Sequence, residues 1–451
     1  MRLVFYTALF ALLALHQVVP SSAVEEQSQD QSLSSLKSEN PQAQSQVQEQ
    51  GSGQSQAQSQ SQLQPRTCGS CQTDRLVFLS QDDIVSDSKL DTPGLIQKYG
   101  YPVETHFAIT DDGYKLGIHR IPRPGATAVL LVHGLMCSSA SWVQFGPSSG
   151  LAYILYRKGF DVWMLNTRGN IYSAFRDHVQ KSEKEFWDFS FHEVGKFDIP
   201  AAIDLVVLKT GQPSIQVIGH SQGSTAFFAM SSEKPEYALK VKLMQCLSPT
   251  VLLRRAISPV LKFIKFFNGG LGTMISMLGG YKVALANKLI PMFKSVICSH
   301  SRITNRICAI FEFMTCGFNW RGFNETLSPI LEGHASQGGS AKQILHLAQL
   351  VGRKSFTRYD FGGILNRMRY KTLIPPAYNL SQAISKVALH YGASDWLSSD
   401  EDVKNLEASL PNVIESRKVA AERFSHFDFT ISKDAQTLVY DRVVEICASN
   451  R

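Results

Sequence analysis

Cysteine is scarce in this chain, with eight residues among 451. A small scaffold stapled together by disulfides is excluded by that count and by the length. Charge is sparse too, at 18% of residues, and no stretch gathers Lys and Arg into a block that could track a phosphate backbone. That spread argues against a nucleic-acid partner. A mean hydropathy of −0.08 excludes a protein with many membrane spans. The net charge of +7 names no partner by itself, since it suits either an anionic lipid surface or simple solubility. What the chain does have is 44% hydrophobic residues, which excludes wholesale disorder and leaves room for up to three domains.

Residues 1–23 read as a secretory signal peptide. Met1 and Arg2 give a basic start, residues 3–15 an apolar run, and Ser21, Ser22 and Ala23 the small residues of a cleavage site. The run is shorter than the roughly 20 residues of a membrane span, and Pro20 interrupts it. Localisation is therefore expected to be secreted or lysosomal. Residues 24–66 are rich in Gln and Ser and contain no aromatic residue. Such a segment buries too little apolar area to offset its ordering entropy, and it is read as disordered. Cys68 and Cys71 form a C-x-x-C beside it, without further ligands or a supporting fold nearby. Cys137, Cys246 and Cys447 sit in apolar surroundings and read as buried thiols. Cys298, Cys308 and Cys316 cluster, and in an oxidising compartment a small-loop disulfide between Cys298 and Cys308 is compatible with the spacing. Asn324 and Asn379 begin Asn-x-Ser/Thr sequons and are candidate glycan sites.

From about residue 90 the chain alternates short apolar runs with helical patterns. Runs at 128–132, 160–165, 215–218 and 386–391 read as buried strands of a mostly parallel sheet, and 413–419 can supply one more. The fold class is α/β. Between residues 248 and 370 the rhythm changes to apolar helix-like stretches broken by Gly269-Gly270 and Gly279-Gly280. This reads as a helical cap inserted between a first core part, 67–247, and a second, 371–451. The stretch 266–281 fits either a mobile lid or an ordinary buried helical pair.

Gly219-His220-Ser221-Gln222-Gly223 is a G-x-S-x-G that follows a predicted strand and precedes a predicted helix at 224–230. That setting is the one a nucleophile elbow needs: the serine sits on a sharp turn, and the glycines leave room for close packing and for substrate. Acyl transfer also needs donors for an oxyanion. The backbone N–H of Gln222 is one candidate, and that of Leu135, in His133-Gly134-Leu135 after the first buried run, is the other. His133 itself reads as a structural residue of that loop. An orienting acid and then a base should follow in chain order. Asp395 lies just after the run at 386–391, and His426 lies in the loop after the last predicted strand. A serine hydroxyl is a poor nucleophile without such a base, and a buried carboxylate fixes the base's tautomer. Asp400, Glu401 and Asp402 read instead as the first turn of a helix, and His220, His334, His346 and His390 as structural.

Together these residues resemble the acid lipases, the family of gastric lipase, lysosomal acid lipase and their insect relatives. The likeness runs from about Asp91 to the C-terminus. It is carried by Tyr99-Gly100-Tyr101-Pro102, Asp112-Gly113-Tyr114, His133-Gly134-Leu135, Asp161-Val162-Trp163, Arg168-Gly169-Asn170, Phe186-Trp187-Asp188-Phe189-Ser190-Phe191, Gly219 to Gly223, Gly392 to Trp396, and His426-Phe427-Asp428-Phe429. The resemblance implies an α/β-hydrolase core with a cap and lid, and hydrolysis of triacylglycerols or cholesteryl esters without metal or other cofactor. It puts Ser221, Asp395 and His426 on the family's triad positions and Leu135 and Gln222 on its oxyanion donors. Many members of the family work at acidic pH. Cys298 and Cys308 resemble the family's cap disulfide, at a spacing one residue longer. The expected partner is a neutral-lipid surface met through the cap. A catalytically silent lipid carrier and an esterase for small soluble esters are the competing readings.

Overall fold

The computed structural model describes residues 80–175, 181–266, 315–317, 319, 321–335 and 337–451. The signal-like segment, the Gln/Ser-rich segment, Cys68, Cys71, Cys298, Cys308 and nearly all of the stretch 266–281 lie outside those residues.

Eight strands are described: β1 (Glu104–Ile109), β2 (Lys115–Ile121), β3 (Ala128–Val132), β4 (Asp161–Leu165), β5 (Ile215–His220), β6 (Val241–Leu247), β7 (Lys386–Tyr391) and β8 (Val413–Lys418). They form one sheet in the order β1-β2-β4-β3-β5-β6-β7-β8. The β1–β2 and β2–β4 pairings are antiparallel. Every pairing from β4 through β8 is parallel. Central strands of a parallel sheet are covered on both faces, so they read as unbroken apolar runs. β3, β4 and β5 are buried along their whole length. The edges differ: β1 alternates between exposed residues and covered ones, of which Ala108 is buried, and β8 is partly exposed throughout.

Side chains alternate across the sheet with period two. Ala128, Leu130 and Val132 of β3 point into one apolar core, and Val129 and Leu131 into the other. Six helices bear on the site: α1 (Leu151–Arg157), α2 (Ile199–Thr210), α3 (Gln222–Glu233), α4 (Ala341–Leu350), α5 (Asp400–Ser409) and α6 (Asp441–Ser449). Helices α2 and α3 fill the first core with Ile203, Val206, Phe227 and Phe228. Helices α1 and α6 fill the second with Tyr153, Leu155, Val443 and Ile446. The result is a three-layer α/β/α fold. Two buried glutamines fasten α6 to the sheet: Gln216 Nε2 donates to the Cys447 carbonyl (2.9 Å) and Gln245 Nε2 to the Val443 carbonyl (2.9 Å). Between β6 and β7 the described residues hold helices, among them 259–266 and α4, and one isolated bridge, Thr357 with Ala377.

Cys246 and Cys447 are buried, and burial pushes each thiol up to about 12. Cys137 departs from the expectation of a buried thiol. It is only part-buried, because it lies in the loop beyond β3, at the rim of the sheet rather than within it.

Candidate active site

The carboxyl ends of neighbouring parallel strands gather the chemical residues on one rim of the sheet, as open α/β folds do with their ligands. Ser221 follows β5 and precedes α3. Its φ of 52° and ψ of −119° place it in a backbone conformation that a non-glycine residue adopts only under strain. The two glycines around it answer to space. A Cβ on Gly223 would come within 2.3 Å of the Val132 carbonyl oxygen, and one on Gly219 within 2.8 Å of the Ser224 nitrogen. The turn can therefore close only without those side chains.

The imidazole of His426 stands between Ser221 and Asp395. Its Nε2 lies 2.7 Å from Ser221 Oγ, and its Nδ1 lies 3.0 Å from Asp395 Oδ2 and 3.2 Å from Oδ1. Asp395 Oδ1 accepts from the backbone N–H groups of Leu397 (2.8 Å) and Ser398 (2.9 Å). Burial pushes the Asp395 carboxyl up, but His426, Ser248 and the Ser398 N–H outweigh it and hold the group below its ordinary value. The Asp395 loop and the His426 loop are tied together, with the Ser394 N–H donating to the Phe424 carbonyl at 2.9 Å. His220 Nε2 donates to the His426 carbonyl at 3.1 Å. Burial, then the nearby His426, holds His220 down at about 3, so it is neutral and serves to position the backbone. Asp428 accepts from the Ser425 N–H (2.5 Å) and from Asn319 Nδ2 (3.1 Å), which pins the far side of the histidine loop.

The loop after β3 packs straight onto the serine turn. A Cβ on Gly134 would stand 3.1 Å from His220 Nδ1 and 3.3 Å from Ser221 Cβ. His133 Nδ1 donates to the Gly134 carbonyl (2.8 Å), and its Nε2 accepts from the Thr167 N–H (3.2 Å) and Asn170 Nδ2 (3.2 Å). Burial keeps it neutral, with a pKa near 4 against the pull of the Gly134 carbonyl. Leu135 follows Gly134 in this loop, three residues past the end of β3. Gln222 holds the first position of α3, where a helix leaves its N–H without an internal acceptor. Ser221, Asp395 and His426 are all buried.

The rival residues are committed elsewhere. Asp400, Glu401 and Asp402 form the first turn of α5, capped by Ser399, whose Oγ accepts from the Asp402 N–H at 3.2 Å. His334 bonds the Asp87 carbonyl, His346 lies between Ser190 and the Thr357 carbonyl, and His390 bonds Gln245. Asn324 and Asn379 are exposed, and each caps a short 3-10 turn. Among the described residues no group of three or more His, Cys, Asp or Glu is placed to hold a metal.

Two features escaped the sequence. Ser248, at the end of β6, donates its hydroxyl to Asp395 Oδ2 and lies 2.5 Å from His426 Nδ1. A lone serine between an apolar run and a proline carries no pattern that would have flagged it. Behind the rim, Arg168 is fully buried against Asp198 (Nε to Oδ1, 2.7 Å) and Asp112 (Nη1 to Oδ2, 2.8 Å), with the Tyr114 ring 4.0 Å beneath it. That cluster braces the segment 166–170, which in turn holds His133.

Comparison with known proteins agrees with this architecture. A family model described as the alpha/beta hydrolase fold matches residues 127–430, and one described as a partial alpha/beta-hydrolase lipase region matches residues 92–146. The chain belongs to the alpha/beta-hydrolase family. Its curated relatives are lipases of the gastric, lysosomal and insect kinds. It is 36% identical to "Lipase 1" of Drosophila melanogaster over 82% of each chain. It is 32% identical to gastric triacylglycerol lipase of Mus musculus, over 81% of this chain and 93% of that one. With lysosomal acid lipase/cholesteryl ester hydrolase of Macaca fascicularis the identity is 30%, over 80% of this chain and 91% of the other. A solved structure from Sulfolobus solfataricus shares the fold, with a TM-score of 0.50 at 12% identity over 75% of this chain and 90% of that chain. The protein is therefore a carboxylic ester hydrolase of the lipase kind. No helix among the described residues is long and apolar enough to cross a membrane.

Proposed function

We propose that this lipase hydrolyses neutral lipid esters, triacylglycerols or cholesteryl esters, through a Ser221–His426–Asp395 relay and an acyl-enzyme. The single observation that carries the reading is the unbroken chain from Ser221 Oγ through His426 (2.7 Å) to Asp395 (3.0 Å). Ser221 Oγ attacks the ester carbonyl carbon while His426 Nε2 takes its proton. Asp395 stabilises the imidazolium and keeps Nε2 facing the serine. The N–H groups of Gln222 and Leu135 receive the carbonyl oxygen as it becomes an oxyanion. The tetrahedral intermediate expels the alcohol, which leaves with the proton from Nε2. A water molecule, deprotonated by the same nitrogen, then attacks the acyl-Ser221 ester, and the fatty acid leaves as Ser221 Oγ takes the proton back from Nε2.

The domain reading is part of the same proposal: residues 248–370 form a cap between the two core parts, and the lipid surface is met there. So is a secreted or lysosomal location, which the signal-like start and the kinds of relatives support. Neither metal nor organic cofactor enters the chemistry.

The test is fatty-acid release from emulsified triolein and cholesteryl oleate between about pH 4 and about pH 8, the range over which a histidine base titrates. Ser221→Ala runs alongside. Release that vanishes in the variant supports the reading, and the two rates name the ester. No release from either emulsion, with turnover of soluble short-chain esters intact, would turn the reading to a small-ester esterase. Absence of any turnover with lipid still bound would turn it to a carrier.

A further inference from the structure

The loops that follow β3, β5, β7 and β8 carry Leu135, Ser221 with Gln222, Asp395 and His426. β6 lies between β5 and β7 in the sheet, and its carboxyl end is Ser248, one residue past Leu247. This residue is fully buried, and its backbone is held at a φ of 52°. Its own N–H donates to the His390 carbonyl of β7 (2.8 Å), and its neighbour Leu247 accepts from the Ser221 N–H (2.9 Å). Ser248 is thus wedged between the nucleophile's turn and the strand that leads to the acid.

We propose that Ser248 is a positioning residue of the relay, a hydroxyl bridge that locks Asp395 and His426 into the one arrangement of protons that catalysis requires. The proposal rests on the reading of Ser221, His426 and Asp395 given above. The argument is a count of hydrogens. Ser248 Oγ has one proton and two lone pairs. It stands within hydrogen-bond reach of both Asp395 Oδ2 and His426 Nδ1. An ionised carboxylate can only accept, so the Ser248 proton goes to Asp395. The lone pairs of Oγ are left facing Nδ1, which must then carry the proton and share it between Oγ and the carboxylate. With Nδ1 protonated, Nε2 is bare and turned to Ser221 Oγ. The competing tautomer would leave a lone pair on Nδ1 pointing at both the Ser248 oxygen and the carboxylate. A left-handed backbone site is one glycine fills at least cost. A serine there costs strain, and the hydroxyl is what distinguishes it from the residue the backbone prefers. Ser248 is buried behind the imidazole, on the side away from Ser221, so its loss should leave substrate binding alone.

The experiment compares Ser248→Ala and Ser248→Gly with the unaltered full chain on a water-soluble ester, p-nitrophenyl butyrate. Active sites are counted by titration with a phosphonate that labels the serine. The expected result is a kcat per titrated site lower by about 10- to 100-fold in both variants, the range for losing a hydrogen bond to a charged group, with KM within about twofold. Proton NMR provides the second readout: the downfield resonance of the His426 Nδ1 proton should move in both variants. Ser248→Gly suits the backbone, so it keeps the test open if Ser248→Ala folds poorly. A glycine variant with unaltered kcat and an unmoved resonance overturns the proposal, because it shows that the hydroxyl is dispensable. A rise in KM at unchanged kcat overturns it as well. Ser221→Ala runs in parallel. If that variant keeps its activity the relay reading itself fails, whereas loss there with intact Ser248 variants defeats this inference alone.

Discussion

Among the described residues, two of the buried carboxylates that face a buried nitrogen base make a useful contrast, and only one of them belongs to the proposed relay. Asp395 faces His426, and Asp198 faces Arg168; in both pairs the side chains are almost wholly out of water. The partner makes the difference. A guanidinium does not give up its proton in a protein, and Arg168 spends its donors on Asp198 and on both oxygens of Asp112. No atom is left over for chemistry. His426 spends one nitrogen on Asp395 and turns the other, able to gain and lose a proton, toward Ser221. The Arg168 cluster is held still by permanent charge. The His426 cluster is held equally still but keeps one valence open. Rigidity is common to both, and a titratable group with a spare face is what makes a site.

The sharpest test of that contrast removes the open valence's partner. Ser221→Ala should lower ester hydrolysis by about 10⁴-fold or more while leaving the urea midpoint nearly unchanged. Asp395→Asn comes next. With the imidazole free to take the wrong tautomer, kcat should fall by about 10⁴-fold, again with little change in folding, as far-UV circular dichroism would show. An Asp395→Asn protein that stays active but unfolds readily would erase the distinction. Arg168→Met should do the opposite. Asp198 is left buried and Asp112 part-buried without their cation, and unfolding in urea should become easier by about 3 to 5 kcal/mol, with kcat per titrated site preserved. Adding Asp198→Asn and Asp112→Asn to that variant should restore part of the loss, since the stranded charges go with them.

The gentlest probe is pH. Burial holds His133 and His390 down at about 4 and His220 at about 3. In the unfolded chain each titrates near its ordinary value, so between there and the folded value the unfolded state binds more protons. Stability contributed by these residues is therefore complete above about pH 6.5 and is lost as pH falls toward 4, at up to about 1.4 kcal/mol per pH unit for each. Asp198 runs the other way. Burial raises it to about 6, so the folded state takes its proton first and gains stability as pH falls through that value. Urea midpoints measured from pH 7 to pH 4 should decline, more steeply in Asp198→Asn, which lacks the opposing carboxyl. Midpoints that hold flat would show that these histidines are not kept neutral by the fold.

Much of this was legible in the chain itself. β3, β4, β5 and β7 announce themselves by short apolar runs, because a strand buried on both faces carries mostly apolar side chains; Asp161, Gln216 and His390 are among the buried exceptions. β8 falls within the stretch 413–419 read as one more strand. β1 and β2 do not announce themselves, because Glu104, His106, Lys115 and His119 break any apolar run: they belong to the antiparallel end of the sheet, where one face meets water or a neighbouring loop. β6 hid behind Lys242 and Gln245, and only the fold shows Gln245 tied to α6. The site residues were legible where a motif fixes them locally, as around Ser221, or where chain order narrows the choice, as for Asp395 and His426. The Arg168–Asp198 pair and Ser248 were invisible for a common reason. Their partners lie 30 residues away in the first case and 147 and 178 in the second, and nothing local announces contacts that only the strand order creates.

That strand order also governs how the protein comes to life. The bond between His426 and Ser221 joins residues 205 apart, and the one between Ser248 and Asp395 spans 147. Contacts of such separation form late, after the entropy of closing long loops has been met, and parallel sheets are slow to assemble for that reason. Refolding followed by circular dichroism should therefore run ahead of refolding followed by ester hydrolysis. Activity returns only when the last parallel strands have docked and their end loops have met above the sheet. A half-folded chain is accordingly a silent one, and a turnover assay doubles as a clock for the final step of folding.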